Sequence, residues 1–141
     1  MAKKPTDWRK RFGAAKPPHV VTLHPDFAGV KAGSTMLISS PGDIAVYLAR
    51  IPRGETRTIQ RLRNELARKA GAQAMCPVTA AIYLRVVAEV SLRDLAEGKA
   101  LHEVVPFWRV VTPDSAVAKK LSCGTQHLAH LIQLDLSEGP A

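Results

Sequence analysis

Proline and glycine cut the middle of this chain into lengths suited to short helices, and no other feature limits its fold as strongly. Between residues 40 and 98 stand Pro41, Pro52, Gly54, Gly71, Pro77 and Gly98. A helix cannot run through Pro52, whose ring fixes φ and removes the N–H that the preceding turn needs. Ser40 is a good N-cap, Pro41 suits the first helical position and Asp43 the first turn. Ile44, Tyr47, Leu48 and Ile51 then fall at helical spacing, which predicts a helix over about 41–51. Thr56 or Thr58 can cap a second helix carrying Ile59, Leu62, Leu66 and Ala70 inward, and Gly71 stops it. A third begins at Pro77 after Cys76 and continues toward Glu97-Gly98, with Val78, Ala81, Ile82, Val86 and Val90 expected on the buried face. Two helices across a tight Gly turn predict a helix-turn-helix, a pattern that any three-helix bundle also writes.

Outside this block the periodicity is weaker. Residues 1–33 read as a basic, Pro- and Gly-rich N-terminal arm, partly disordered, with a short strand possible over 19–23; Trp8 and Phe12 could also fold as a short helix on a partner. Residues 34–137 read as one domain. Within it, 35–39 form a second short apolar run, 101–111 suit an extended segment, and Leu121, Leu128, Leu131, Ile132 and Leu134–Leu136 describe a last helix after Gly124. The fold class expected is mainly α, a winged-helix-like domain of three to four helices with a few short strands.

Charge is segregated. The 141 residues hold 20 Lys and Arg against 12 Asp and Glu, a formal net charge of +8. Lys3, Lys4, Arg9, Lys10, Arg11 and Lys16 face Asp7 alone in the first twenty residues. Arg53, Arg57, Arg61, Arg63, Arg68 and Lys69 face Glu55 and Glu65 between 53 and 69. The remainder is close to neutral. Concentrated cations suit a polyanion, because each phosphate they neutralise releases condensed counterions; a solvated helix face with a solubilising tail is the plainer alternative. No apolar run approaches the roughly 18–20 residues that span a bilayer, and the basic start lacks an apolar segment. A soluble, unsecreted, cytoplasmic chain is expected, nucleoid-associated if bacterial, with reduced thiols and no membrane partner.

Candidates for chemistry are few. Cys76, before a helix N-terminus, could have its thiolate favoured by the macrodipole or could be a capping or core residue. Cys123, His127 and His130 offer three potential zinc ligands without an evident fourth, and polar residues on an amphipathic helix explain them as well. No phosphate loop, paired carboxylates or nucleophile elbow occurs. No metal and no cofactor are expected.

Specific phrases carry a resemblance. Ile51-Pro52-Arg53-Gly54-Glu55-Thr56-Arg57-Thr58, followed by Leu62, Ala67 and Gly71, resembles the I-P-x-G-x-x-x-T-Y opening of the DNA-binding domain of alkylguanine-DNA alkyltransferases. Pro106-Phe107-Trp108-Arg109-Val110-Val111 resembles that family's P-C-H-R-V-V active-site phrase, and Lys119–Leu134 with Gly124 its closing turn and helix. Phe107 stands at the alkyl-accepting cysteine, and a phenyl ring has no thiolate to attack with. The resemblance therefore implies a relative of the alkyltransferase-like proteins: non-enzymatic binding of duplex DNA, in the setting of damage recognition. It implies phosphate contacts from Arg53, Arg57, Arg61, Arg63, Arg68 and Lys69, a third helix meeting a groove through Thr79 and Tyr83, and a vestigial pocket lined by Pro106, Phe107, Trp108 and Arg109. Ile59 replaces the tyrosine of the first phrase and Cys76-Pro77-Val78-Thr79 opens the third helix, so base flipping by an inserted arginine is not carried over. Two readings stand beside this one: a regulatory module binding an acidic protein partner, and a thiol-dependent enzyme using Cys76.

Overall fold

The computed structural model describes residues 5–137, so Lys3 and Lys4 of the basic start lie outside the described residues. Among these residues the protein is mainly helical with a small three-stranded sheet, and no helix is long and apolar enough to cross a membrane. The elements run α1 Trp8–Ala14, β1 His19–Thr22, β2 Thr35–Ile38, α2 Pro41–Ala49, α3 Ile59–Lys69, β3 Ala74–Met75 and α4 Pro77–Ala96. Two 3-10 turns follow, at Leu101–Glu103 and Phe107–Arg109, and then α5 Ala116–Lys120 and α6 Thr125–Ser137.

The punctuation sets the three central helices. Ser40 Oγ accepts from the Asp43 N–H at 3.2 Å to start α2, and Thr58 rather than Thr56 caps α3, its Oγ1 accepting from the Arg61 N–H at 3.0 Å. Gly71 leaves α3 at φ 73°, a left-handed conformation open to glycine. Cys76 caps α4, its Sγ accepting weakly from the Thr79 N–H at 3.5 Å. β2 is the centre of the sheet. β1 pairs with it antiparallel and β3 parallel, Met36 opposite Ala74, so α2 and α3 together form the crossover between β2 and β3.

Ile44 and Leu48 of α2, Leu62 and Leu66 of α3, and Leu84 and Val87 of α4 meet in one core with Phe107, Trp108 and Leu128. The buried side of α4 agrees with the expected one at Val86, which is buried, and differs from it nearer the start of the helix. Ala80, Leu84, Val87 and Ala88 face inward, while Val78 and Ile82 remain 46% and 42% exposed. This helix is apolar on more than one side, so its pattern offers two stripes; packing against α2 and the second 3-10 turn decides between them.

Over its described part the N-terminal segment takes the short helix at Trp8 and Phe12, packed on α4 of this same chain, and the short strand within 19–23: Asp7 caps α1, and β1 joins the sheet. Long-range contacts from Trp8, Arg9 and Phe12 hold this short helix, contacts that local composition does not encode. Two further expectations are corrected, at residues 101–111 and in α6. Residues 101–111 make two 3-10 turns rather than one extended segment, because Pro106 lacks a donor and both Val110 and Val111 N–H groups close back onto the Phe107 carbonyl. In α6, Leu134 and Leu136 are exposed and Asp135 is buried.

Candidate nucleic-acid interface

The basic residues of 53–69 separate into distinct roles. Arg61 Nε donates to Glu65 at 2.8 Å, Arg57 Nη1 lies 3.7 Å from the same carboxylate, and the Tyr47 hydroxyl donates to it from α2. Arg57 also sits over the Tyr47 ring at 5.4 Å. Hydrogen bonds from Tyr47 and Arg61 hold the Glu65 carboxyl below the usual range, and burial together with that carboxylate pushes the Tyr47 phenol up. One acid thus offsets part of the charge of two arginines. Arg68 and Lys69 are exposed, and their side chains have no hydrogen-bond or ion-pair partner among the described residues. Arg53 is exposed in the turn before α3.

Arg63 is half-buried and its Nη2 donates to the Met75 carbonyl at 3.1 Å, joining α3 to β3. Thr79 and Tyr83 also differ from expectation. Thr79 Oγ1 is buried without a partner and Tyr83 packs against the core, so the α4 side chains that face outward near its start are Val78, Ala81 and Ile82.

Between α2 and α3 lies a cleft of about 440 Å³ whose walls include Arg50, Arg57, Lys69, Tyr47 and Glu65. Arg50 was not among the sequence candidates, because it lies on the far side of Pro52 from the basic run; the Tyr47–Glu65 hydrogen bond between α2 and α3 stands in the cleft whose walls Arg50 and Arg57 share.

The residues that resemble the active-site phrase are placed differently from a pocket lining. Pro106 is buried, Phe107 is wholly buried and Trp108 nearly so, the two rings packed edge to face with centroids 5.2 Å apart. Arg109 is turned toward α6. Its Nε and Nη2 donate to both Asp135 oxygens at 2.9 and 2.8 Å, and Trp108 Nε1 donates to Asp135 at 2.8 Å. Burial pushes the Asp135 carboxyl up, but the donors from Arg109 and Trp108 outweigh it and hold the group below its ordinary value. Arg109 Nη1 also donates to the Ile51 carbonyl at 2.7 Å, and the Arg57 N–H donates to the Arg109 carbonyl at 2.8 Å. The vestigial pocket is thus corrected to a filled junction, because two large rings there complete a core otherwise poor in aromatics. That junction joins the Ile51–Thr58 phrase, the Pro106–Val111 phrase and α6.

Cys76 is 3% exposed, which removes the access that the thiol-enzyme reading requires. Burial, then the charge of Glu89, pushes the Cys123 thiol up, away from thiolate chemistry. The His127 and His130 rings lie tilted by 43° with centroids 6.3 Å apart, and no group of three or more His, Cys, Asp or Glu among the described residues is placed to hold a metal ion.

No family model, no curated protein and no solved structure matches this chain.

Proposed function

We propose that this protein binds duplex DNA without chemical turnover, as a relative of the alkyltransferase-like proteins that lack an acceptor cysteine. One observation carries the reading. Arg50, Arg57 and Lys69 gather around a single cleft beside α3, with Arg61 on the same carboxylate as Arg57 and the unpartnered Arg68 next to Lys69. In this reading α3 lies across the phosphates and α4 enters or borders a groove with its outward Val78, Ala81 and Ile82, as the paired helices of a winged-helix-like domain would. The hydrogen-bonded junction of the three phrases supports the kinship, and Phe107 supplies no nucleophile.

A salt-dependent titration comparing plain duplex, alkylguanine-containing duplex and RNA tests it. Plain duplex should bind with a steep salt dependence. Arg68→Ala/Lys69→Ala should weaken binding at all sequences and lower the salt slope by about 2, at about one unit per phosphate contact. Glu65→Gln, which releases Arg57 and Arg61 from their shared acid, should tighten it. An unchanged slope in the double variant overturns this surface. An acidic protein partner is the second reading, favoured by the exposed Val46 beside Leu37 and Leu66 in the same cleft; absence of any nucleic-acid binding at low salt would select it.

A further inference from the structure

A second cleft, of about 360 Å³, opens between α1, α4 and α5. Its floor includes Val78 and Ile82, the outward apolar residues of α4, and around it stand Trp8, Arg11, Arg85 and Lys120. No carboxylate is among its lining residues, in contrast to the α2–α3 cleft, where Asp43 and Glu65 contribute. The guanidinium carbons of Arg11 and Arg85 lie 5.0 and 4.9 Å from the centroid of the one Trp8 ring, and Arg85 Nε is buried without a partner. Three cations held together over an apolar floor repel one another until an anion enters.

That grouping depends on how α1 is docked. Arg9 Nη2 donates to Asp94 at 2.6 Å and to Glu97 at 2.7 Å, and Nη1 reaches Glu97 at 3.2 Å, clamping α1 to the far end of α4. Phe12 packs against the core from the same helix. With both fixed, Trp8 and Arg11 are delivered to the near end of α4, opposite Lys120.

We propose that α1 completes the nucleic-acid interface: the α1–α4–α5 cleft takes a sugar–phosphate backbone, with Arg11, Arg85 and Lys120 on phosphate oxygens and Val78 and Ile82 against the sugar. Arg9, Asp94 and Glu97 are positioning residues that touch no nucleic acid. This inference rests on the duplex-binding reading and adds a second group of phosphate contacts, separate from those of α3.

The test is a set of salt titrations of the full chain against one plain duplex. Arg11→Ala/Lys120→Ala should lower the salt slope by about 2, and Arg11→Lys/Lys120→Arg, which keeps both charges, should recover most of it. Asp94→Asn/Glu97→Gln gives the sharper result. It removes two negative charges, so bulk electrostatics alone would tighten binding, whereas loss of the clamp should weaken it several-fold. If the unaltered chain fails to bind duplex at low salt, the functional reading fails and this inference with it. If duplex binds, Arg68→Ala/Lys69→Ala weakens it and Arg11→Ala/Lys120→Ala leaves affinity and slope unchanged, only the second cleft is overturned. Tighter binding by Asp94→Asn/Glu97→Gln overturns the positioning role of the clamp.

Discussion

Two arginines bridge distant parts of this chain to carboxylates with nearly the same geometry, and they belong to different kinds of structure. Arg109 meets Asp135 with side chains 15% and 8% exposed, and Trp108 and the Ile51 carbonyl complete the arrangement. Arg9 meets Asp94 and Glu97 with side chains 46%, 18% and 47% exposed. Inside the core, removal of one partner leaves a charge that water cannot reach. At the surface, water replaces the lost partner and salt screens the pair that remains. Bond length therefore does not separate the two bridges; access to solvent does. The inner bridge ties the Ile51–Thr58 and Pro106–Val111 phrases to α6, and the outer one ties α1 to the end of α4.

The largest effect should come from breaking the inner bridge. Asp135→Ala is expected to cost about 3–5 kcal/mol in denaturant unfolding, because Arg109 and the Trp108 N–H both lose a buried acceptor; a loss no larger than that of a surface variant would remove the distinction drawn here. Phe107→Cys in the same junction should cost on the order of 3 kcal/mol through the cavity left by the ring. Its new thiol should stay unreactive toward a thiol reagent in the native state, since the position is wholly buried; rapid labelling would reinstate an open pocket there.

Acid should act on the outer bridge. Hydrogen bonds from Arg9, then Arg93, pull the Glu97 carboxyl down to about 2 from an ordinary 4.5. A lowered native value makes its contribution complete above about 4.5, and that contribution is lost as pH falls toward 2. The Trp8 indole resonance should therefore move toward its solvent-exposed position across that range, and an indole that stays fixed would mean that Phe12 and Trp8 hold α1 alone. The smallest effect is reserved for Arg9→Ala. It should leave the global unfolding midpoint unchanged while amide exchange accelerates in α1, and a shifted midpoint would make the outer bridge part of the core after all.

Much of the central fold was legible because its signals are local. Caps at Ser40 and Thr58, the stops at Pro52 and Gly71, and the start at Pro77 each act within one turn of backbone, so residue identity and position suffice. The segregation of Arg53 to Lys69 was legible for the same reason. The candidate site was read less completely. Arg63 appeared in the right run but faces β3, and Arg50 appeared outside it but faces the cleft. Asp135 was hidden among leucines, although a lone acid on the apolar side of a helix is the trace that a buried partner leaves.

Sequence alone determined where α2 and α4 begin and where α3 ends, because capping, proline geometry and glycine conformation are decided by neighbours in the chain. Only the tertiary structure decided which stripe of α4 is buried, that α1 docks on it, and that Phe107 and Trp108 fill a junction rather than border a pocket. Those outcomes depend on surfaces brought together from far along the chain, where burial and charge pairing compare alternatives that local spacing leaves equal.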